Sequence, residues 1–298
     1  MALYKGSQKI SPILLAGEPT LTSKTITANG TYSASSDNAD GYSSVIVDVA
    51  SIGLPREVTA QGVYRTPSES FTFSLPNNVI TLGDYALSYA FSGSGLTSAD
   101  LSSLTTINGR RALEGAFEAC YSLVSVDLGS LTSVNGSYAL SDAFANSVLA
   151  SVDLSSLTTI SGSYAFSGAF LMDSSRLTSI DLSSLTTISG NYVFRDAFNF
   201  CGNLTSVDLS SLTTINGSYT FYGAFDTCTS LTTLSFPALT STSFGSYTNQ
   251  FDEMLRSVMG CTVHFPSNLQ SVIGSWSSVT NGFGGTNTTV LFDLPATT

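Results

Sequence analysis

The stretch SVDLSSLTTISGSYAFSGAF, Ser151 to Phe170, recurs along the chain with small edits, and no other feature limits the fold as strongly. Aligned on the leucine that opens each unit, the copies begin at Leu96, Leu123, Leu149, Leu177, Leu204 and Leu231, at spacings of 27, 26, 28, 27 and 27 residues. A unit this short cannot enclose a core of its own. It must stack on its neighbours, so that one core runs through the pile and each unit touches only the next. The ends should then differ from the middle. A degenerate copy, FTFSLPNNVITLGDYALSYAF, begins at Phe71, and the unit from Leu231 has drifted to LTTLSFPALTSTSFGSYTNQF.

Within one unit the segment LTSVDLSSLTTI places Val207 and Leu209 on either side of Asp208. In a strand, successive side chains point to opposite faces, so Val207 and Leu209 face inward only if Asp208 faces out. The second half, TTINGSYTFYGAF, begins extended, turns at Asn216-Gly217, and sets Phe221 and Phe225 four residues apart. That spacing predicts a short helical turn packed on the sheet. Phe117, Phe144, Phe170, Phe198 and Phe225 each follow an alanine (Ala116, Ala143, Ala169, Ala197, Ala224), where a larger side chain would push the coils apart; these phenylalanines are read as core.

The L-x-x-L-x-L spacing, with an extra leucine inside it, is that of a leucine-rich repeat. With its turn glycine, its Ala-Phe pair and its trailing cysteine, the unit resembles the BspA-like class of bacterial leucine-rich repeats over roughly Phe71 to Cys261. The unit is a few residues longer than that class's commonest repeat. The resemblance implies a leucine-rich repeat solenoid, mostly β, with a strand and a short helix or turn per repeat, and a binding scaffold of the kind met on surface proteins and adhesins. The expected organisation is a small β-rich attachment module over 1–60, the solenoid over 61–262, and a helix-strand cap over 263–298.

The flanks are read separately. Residues 20–50 contain the strand-like SKTIT, an Asn29-Gly30 hairpin signal and the alternating SSVIVDV. Their wording is similar to the N-terminal portions of tail-associated structural proteins of phages and prophages of gut bacteria, which implies attachment to a particle. After Cys261, TVHFP reads as a last strand. Leu269, Val272, Ile273 and Trp276 then share one helical face, which predicts an amphipathic helix closing the open end, followed by a strand from Thr288 to Phe292.

Charge restricts the partners. The 298 residues carry 10 basic and 21 acidic side chains, a net charge of −11, which opposes binding to nucleic acid and to anionic membranes. The expected partners are a host-cell surface protein or glycan on the repeat face, and other tail or surface proteins through residues 1–60. The apolar run Ile13 to Ala16 is too short for a signal-peptide core, and no stretch is long enough to span a membrane. Cys120, Cys201, Cys228 and Cys261 form no CxxC pair and read as buried free thiols. A homo-oligomer is compatible with the chain, although no heptad run specifies one.

Two rows of candidate binding residues emerge. Asp100, Asp127, Asp153, Asp181 and Asp208 hold the same outward strand position and should form a ladder on the concave face, with neighbours ~4.8 Å apart. Three readings stay open for it: a solvated face, a polar binding face, or a calcium site. Calcium takes carboxylate oxygens but wants about six to eight ligands, and no recognised calcium motif is present; no other cofactor is indicated. Tyr138, Tyr164, Tyr192 and Tyr219 form a second row, with Arg111 in the tyrosine's place one unit earlier. It reads either as packing between coils or as a platform for sugar or protein. No catalytic residue is assigned. The single histidine, His264, sits between Val263 and Phe265 on the outer side of a strand, and a hydrolase needs a base beside its nucleophile. The chain is thus expected to be non-enzymatic: a receptor-binding or adhesion protein of a phage or prophage tail, or alternatively a bacterial cell-surface adhesin.

Overall fold

A computed structural model of the chain describes residues 3–5, 8–10, 24–26, 44–47, 71–75, 80–171, 176–276, 279 and 281–296. It is a mostly-β parallel solenoid. Each unit opens with a short strand on the first face: β5 (Phe71–Ser74), β7 (Leu96–Asp100), β9 (Ser125–Asp127), β11 (Ser151–Asp153), β13 (Ser179–Asp181), β15 (Ser206–Asp208), β17 (Thr233–Ser235), β18 (Thr262–Pro266) and β19 (Thr289–Leu294). The second face carries two-residue strands, β6 (Thr81–Leu82), β8 (Thr106–Ile107), β10 (Ser133–Val134), β12 (Thr159–Ile160), β14 (Thr187–Ile188) and β16 (Thr214–Ile215), in one unbroken parallel ladder.

The chain alternates as its sequence requires. In β9, β11, β13 and β15 the middle residue, Val126, Val152, Ile180 or Val207, is buried, while the flanking serine and aspartate are exposed. Hydroxyls then tie coil to coil: Thr132, Thr158, Thr186 and Thr213 each donate through Oγ1 to the carbonyl of the equivalent threonine one coil back, at 2.9 to 3.1 Å. This is where the abundant Ser and Thr go; they supply neutral donors where ions would repel.

The third side of each coil is a ribbon of turns, the turn form of the short helix or turn expected in each repeat. Between Gly83 and Ser92, the N–H groups of Ala86, Ser88, Ala90 and Ser92 donate three residues back. Those of Tyr85, Leu87, Tyr89 and Phe91 donate instead to Arg110, Ala112, Glu114 and Ala116 of the next coil. A helix would satisfy its own groups; here alternate groups bond across the stack. The ribbon returns to left-handed backbone at every fourth residue, as at Tyr138, Asp142 and Asn146, with φ of 58°, 52° and 58°. A four-residue turn period explains the four-residue spacing of the phenylalanines.

The core is filled by these rings. Phe91, Phe117, Phe144, Phe170, Phe198 and Phe225 stack with centroids 5.2 to 5.6 Å apart, and the alanine before each is fully buried. At the turn, Gly109, Gly136, Gly162, Gly190 and Gly217 lie against one another, and a Cβ on any of these would overlap the carbonyl oxygen of the glycine one coil before. The four cysteines are free and buried. Cys120, Cys201 and Cys228 donate to the carbonyls of Phe91, Phe170 and Phe198, and burial pushes the Cys228 thiol up to about 12.

The flanks differ from expectation. Asn29-Gly30 lies outside the described residues, as do most of residues 1–70. The strands on either side of it, β3 (Lys24–Ile26) and β4 (Ser44–Val47), pair parallel, whereas a hairpin would make them antiparallel. β4 in turn pairs parallel with β5, so both extend the first face of the solenoid. β1 (Leu3–Lys5) and β2 (Gln8–Ile10) form a separate antiparallel pair. At the other end the amphipathic helix is reduced to a 3-10 turn over Ser267–Leu269 and one α turn, α1 (Gln270–Ile273), burying Leu269 and Ile273. The strand expected from Thr288 to Phe292 is present as β19 (Thr289–Leu294), paired parallel with β18.

Candidate functional site

The five aspartates lie where the alternation places them, exposed on the first face, with Asp100, Asp127 and Asp153 in direct register and Asp181 in register with Asp208. The row is not continuous. β11 and β13 are successive but share no ladder, and residues 172–175 between them lie outside the described residues. β15 and β17 share no ladder either, so among the described residues the first face consists of three ladders whose neighbouring strands stay in contact. A shallow trough covers Asp100, Asp127 and Asp153 and reaches Asp181; a second covers Asp181 and Asp208 and reaches Ser235.

Each aspartate also has a local task that spacing did not reveal. Its Oδ1 accepts the N–H two residues on, from Ser102, Gly129, Ser155, Ser183 and Ser210 in turn, at 2.9 to 3.0 Å. This is an Asx turn, and it starts the corner after each strand. Hydrogen bonds from Ser102 hold the Asp100 carboxyl below the usual carboxylate range, and those from Ser183 do the same for Asp181, because both favour the charged form. The turn uses one oxygen, and the charge stays on the surface. Ser98, Ser125, Ser151, Ser179 and Ser206 line the same troughs and add a parallel row of hydroxyls that the sequence reading passed over. Among the described residues, no group of three metal-ligating side chains could hold an ion.

The tyrosine row is a closed stack. Tyr138, Tyr164, Tyr192 and Tyr219 lie face to face with centroids 4.8 to 5.0 Å apart and ring planes within 12°. The Arg111 guanidinium covers the outer face of Tyr138 at 4.9 Å and is itself held by Glu114 at 2.6 Å. A sugar ring needs an open aromatic face, and between these residues each face is taken by a neighbour. The stack therefore offers ring edges and hydroxyls, and its geometry favours the packing reading.

His264 shares the row position of the aspartates, in register with Ser235 on β17. Its Nδ1 lies 2.8 Å from Asp293 Oδ1 on β19. Serine, histidine and aspartate thus come side by side on three adjacent strands, although far apart in sequence. The contact to Asp293 is made, and among the described hydrogen bonds none links His264 to Ser235.

A stack of parallel coils, each opening with a short strand and closed by a ribbon of turns, defines a leucine-rich repeat solenoid. The chain belongs to the family described as BspA type leucine rich repeat region, which matches over residues 61–171, 87–224 and 141–275. A search of curated proteins finds no match. Among solved structures, the pneumococcal vaccine antigen PcpA is 14% identical, with 98% of each chain covered and a TM-score of 0.23. A leucine rich cell surface protein from Faecalibacterium prausnitzii is 16% identical, covering 97% of this chain and 94% of that one, with a TM-score of 0.24. A leucine-rich repeat protein from Bacteroides ovatus is 14% identical, covering 97% and 90%, with a TM-score of 0.22.

Proposed function

We propose that the chain is a non-enzymatic binding protein of the adhesion type, which presents the serine and aspartate rows of its first face to a protein or glycan on a cell surface. The observation that carries this reading is the coincidence of the two troughs with the outward Ser and Asp positions. Hydroxyls and carboxylates in file there offer many hydrogen bonds to a hydroxyl-rich or cationic partner. BspA-type repeats are commonly carried by cell-surface or extracellular proteins, which agrees with such a role. The N-terminal wording supports a tail-borne setting, with residues 1–60 as the attachment element and the repeats as the recognition element.

The Asx turns make a clean test available. Asparagine keeps the turn acceptor and removes the charge, so the combined Asp127→Asn, Asp153→Asn and Asp181→Asn variant should fold as the parent does. Its binding to whole cells and to a glycan array should fall at least tenfold. Unchanged binding in a folded variant would remove the first face from the proposal. Deleting residues 1–60, which removes β3 and β4 from the solenoid's first face, separates the two settings when the shortened chain keeps the circular dichroism spectrum of a folded solenoid: a tail protein loses incorporation into particles, while an adhesin keeps its cell binding.

A further inference from the structure

The first face opens at two places. The residue that leads into or opens a strand donates its N–H to the coil before: Val124 to Thr97, Ala150 to Val124, Thr205 to Thr178, Thr262 to Thr232 and Thr289 to Cys261, at 2.8 to 3.0 Å. Thr178 and Thr232, which lead into β13 and β17, make no such bond among the described hydrogen bonds, and the carbonyls of Ala150 and Thr205 opposite them accept none. Past the strand, Leu101, Leu182 and Phe236 donate to Asp127, Asp208 and His264, whereas Leu128, Leu154 and Leu209 make no such bond, the last two at the same openings. The second face runs as one ladder behind them, so the coils stay joined while the first face parts between β11 and β13 and between β15 and β17. The inward file registers the parting. Val152 and Val207, on the strands just before the openings, are 7% and 9% exposed, against 1% for Val126 and 3% for Ile180. Each trough crosses one opening, the first from Asp153 to Asp181 and the second from Asp208 to Ser235.

Donor and acceptor chemistry identifies the occupant. A free backbone N–H facing a free C=O calls for a group that both donates and accepts. The rows alongside add carboxylates, which only accept, and serine hydroxyls, which do both. An ammonium or guanidinium group serves the carboxylate and the carbonyl but cannot accept from the N–H. An anion accepts from the N–H but is repelled by the aspartate row. A neutral hydroxyl answers all four partners. The openings lie two strands apart, about 10 Å along the stack, so one chain of sugar rings laid along the face brings hydroxyls to both.

Resting on the first face as the binding surface, we propose that its ligand is a neutral linear glycan whose hydroxyls enter the two openings and pair with the free backbone groups there. The test uses the full chain, with neutral linear oligosaccharides of increasing length and oligolysine as the cationic alternative, measured by calorimetry at physiological salt. Oligosaccharide affinity should climb with length and level off once one chain reaches both openings. Thr178→Pro and Thr232→Pro each delete a free N–H without breaking a bond, so the circular dichroism spectrum should not change. Each should weaken oligosaccharide binding roughly tenfold, as expected for one lost hydrogen bond. Thr178→Val should bind as the parent does, since valine already holds this position at Val124. Amide exchange gives a readout that needs no variant: the Thr178 and Thr232 amides should exchange faster than those of Thr205 and Thr262, and bound oligosaccharide should slow them. Oligolysine bound in preference to every oligosaccharide, exchange at Thr178 and Thr232 indifferent to bound sugar, or folded proline variants that bind sugar like the parent would each overturn the proposal. If the triple aspartate-to-asparagine variant loses cell binding while the proline variants keep it, the first face stands and the glycan in its openings falls; if all of them keep it, the first face falls as well.

Discussion

The carboxylate of Asp142 lies directly over Gly168 of the next coil, so closely that a Cβ on this glycine would overlap Asp142 Oδ1. The same relation links Asp196 to Gly223 and Tyr89 to Gly115. These six residues form one column of left-handed positions along the turn ribbon, and they alternate large and small. The array thus has a period of two coils on its back, although its sequence repeats every coil.

Gly168→Ala should therefore be far more harmful than its size suggests. It adds a left-handed alanine, at about 1–2 kcal/mol, to a steric clash worth about 1–3 kcal/mol. Chemical denaturation should show a loss of about 2–5 kcal/mol, and adding Asp142→Gly should recover the clash component but not the backbone component. An effect unaltered by the second change would mean that the carboxylate is not the obstacle.

Acid should stabilise the fold before it destroys it. Burial pushes the carboxyls of Asp142, Glu118 and Asp196 up, so the folded state holds those protons more tightly than the unfolded chain. Stability gains from these groups as pH falls from neutrality through their raised values. Asp100 and Asp181 act the other way: their carboxyls are lowered by serine hydrogen bonds, and their contribution is lost once pH falls below about 4. Thermal unfolding should give a higher Tm near pH 5 than at pH 8. Asp142→Asn should flatten that rise, since asparagine tolerates left-handed backbone and has no proton to gain.

Two glycines separate packing from conformational freedom. At Gly136 a Cβ would run into the backbone carbonyl of Gly109, which cannot swing aside, whereas at Gly202 its nearest neighbour is Thr229 Oγ1 at 3.5 Å. Gly136→Ala should cost about 3 kcal/mol or more, near the upper end for overpacking, and Gly202→Ala well under 1 kcal/mol. Matched denaturation curves would decide it, and similar losses at the two sites would contradict the close approach of the glycine column.

These contrasts show what the sequence could reveal. Val207 between Ser206 and Asp208 settled the strand and its two faces, because a period of two has one structural meaning. Phe221 and Phe225 were ambiguous, because a helix and a ribbon of four-residue turns set the same spacing. Glycine usually marks left-handed backbone, but here Tyr138, Tyr164, Tyr192 and Tyr219 adopt it, so the usual marker was missing. The aspartate row was visible as a row. Its Asx turns were hidden because serine two residues on is so common in this chain, and the step between β11 and β13 because a unit one residue longer leaves no sign of where a ladder opens.

The tyrosine stack supplies the sharpest contrast with the aspartate face. Tyr164 is stacked on both sides, at 4.8 Å against Tyr138 and 4.9 Å against Tyr192. Each aromatic contact contributes about 0.5–1.5 kcal/mol beyond area burial, so Tyr164→Ala should lose about 1–3 kcal/mol of stability, while Tyr164→Phe keeps the ring and should be near neutral. Neither change removes a group from the first face. If the stack is packing alone, cell and glycan binding by the folded Tyr164→Ala protein should equal that of the parent, whereas the triple aspartate-to-asparagine variant should keep its fold, lose no more stability than the charge of Asp181 contributes, and bind more weakly. Loss of binding in Tyr164→Phe, where only the hydroxyl is gone, would move the recognition surface from the strands to the turn ribbon.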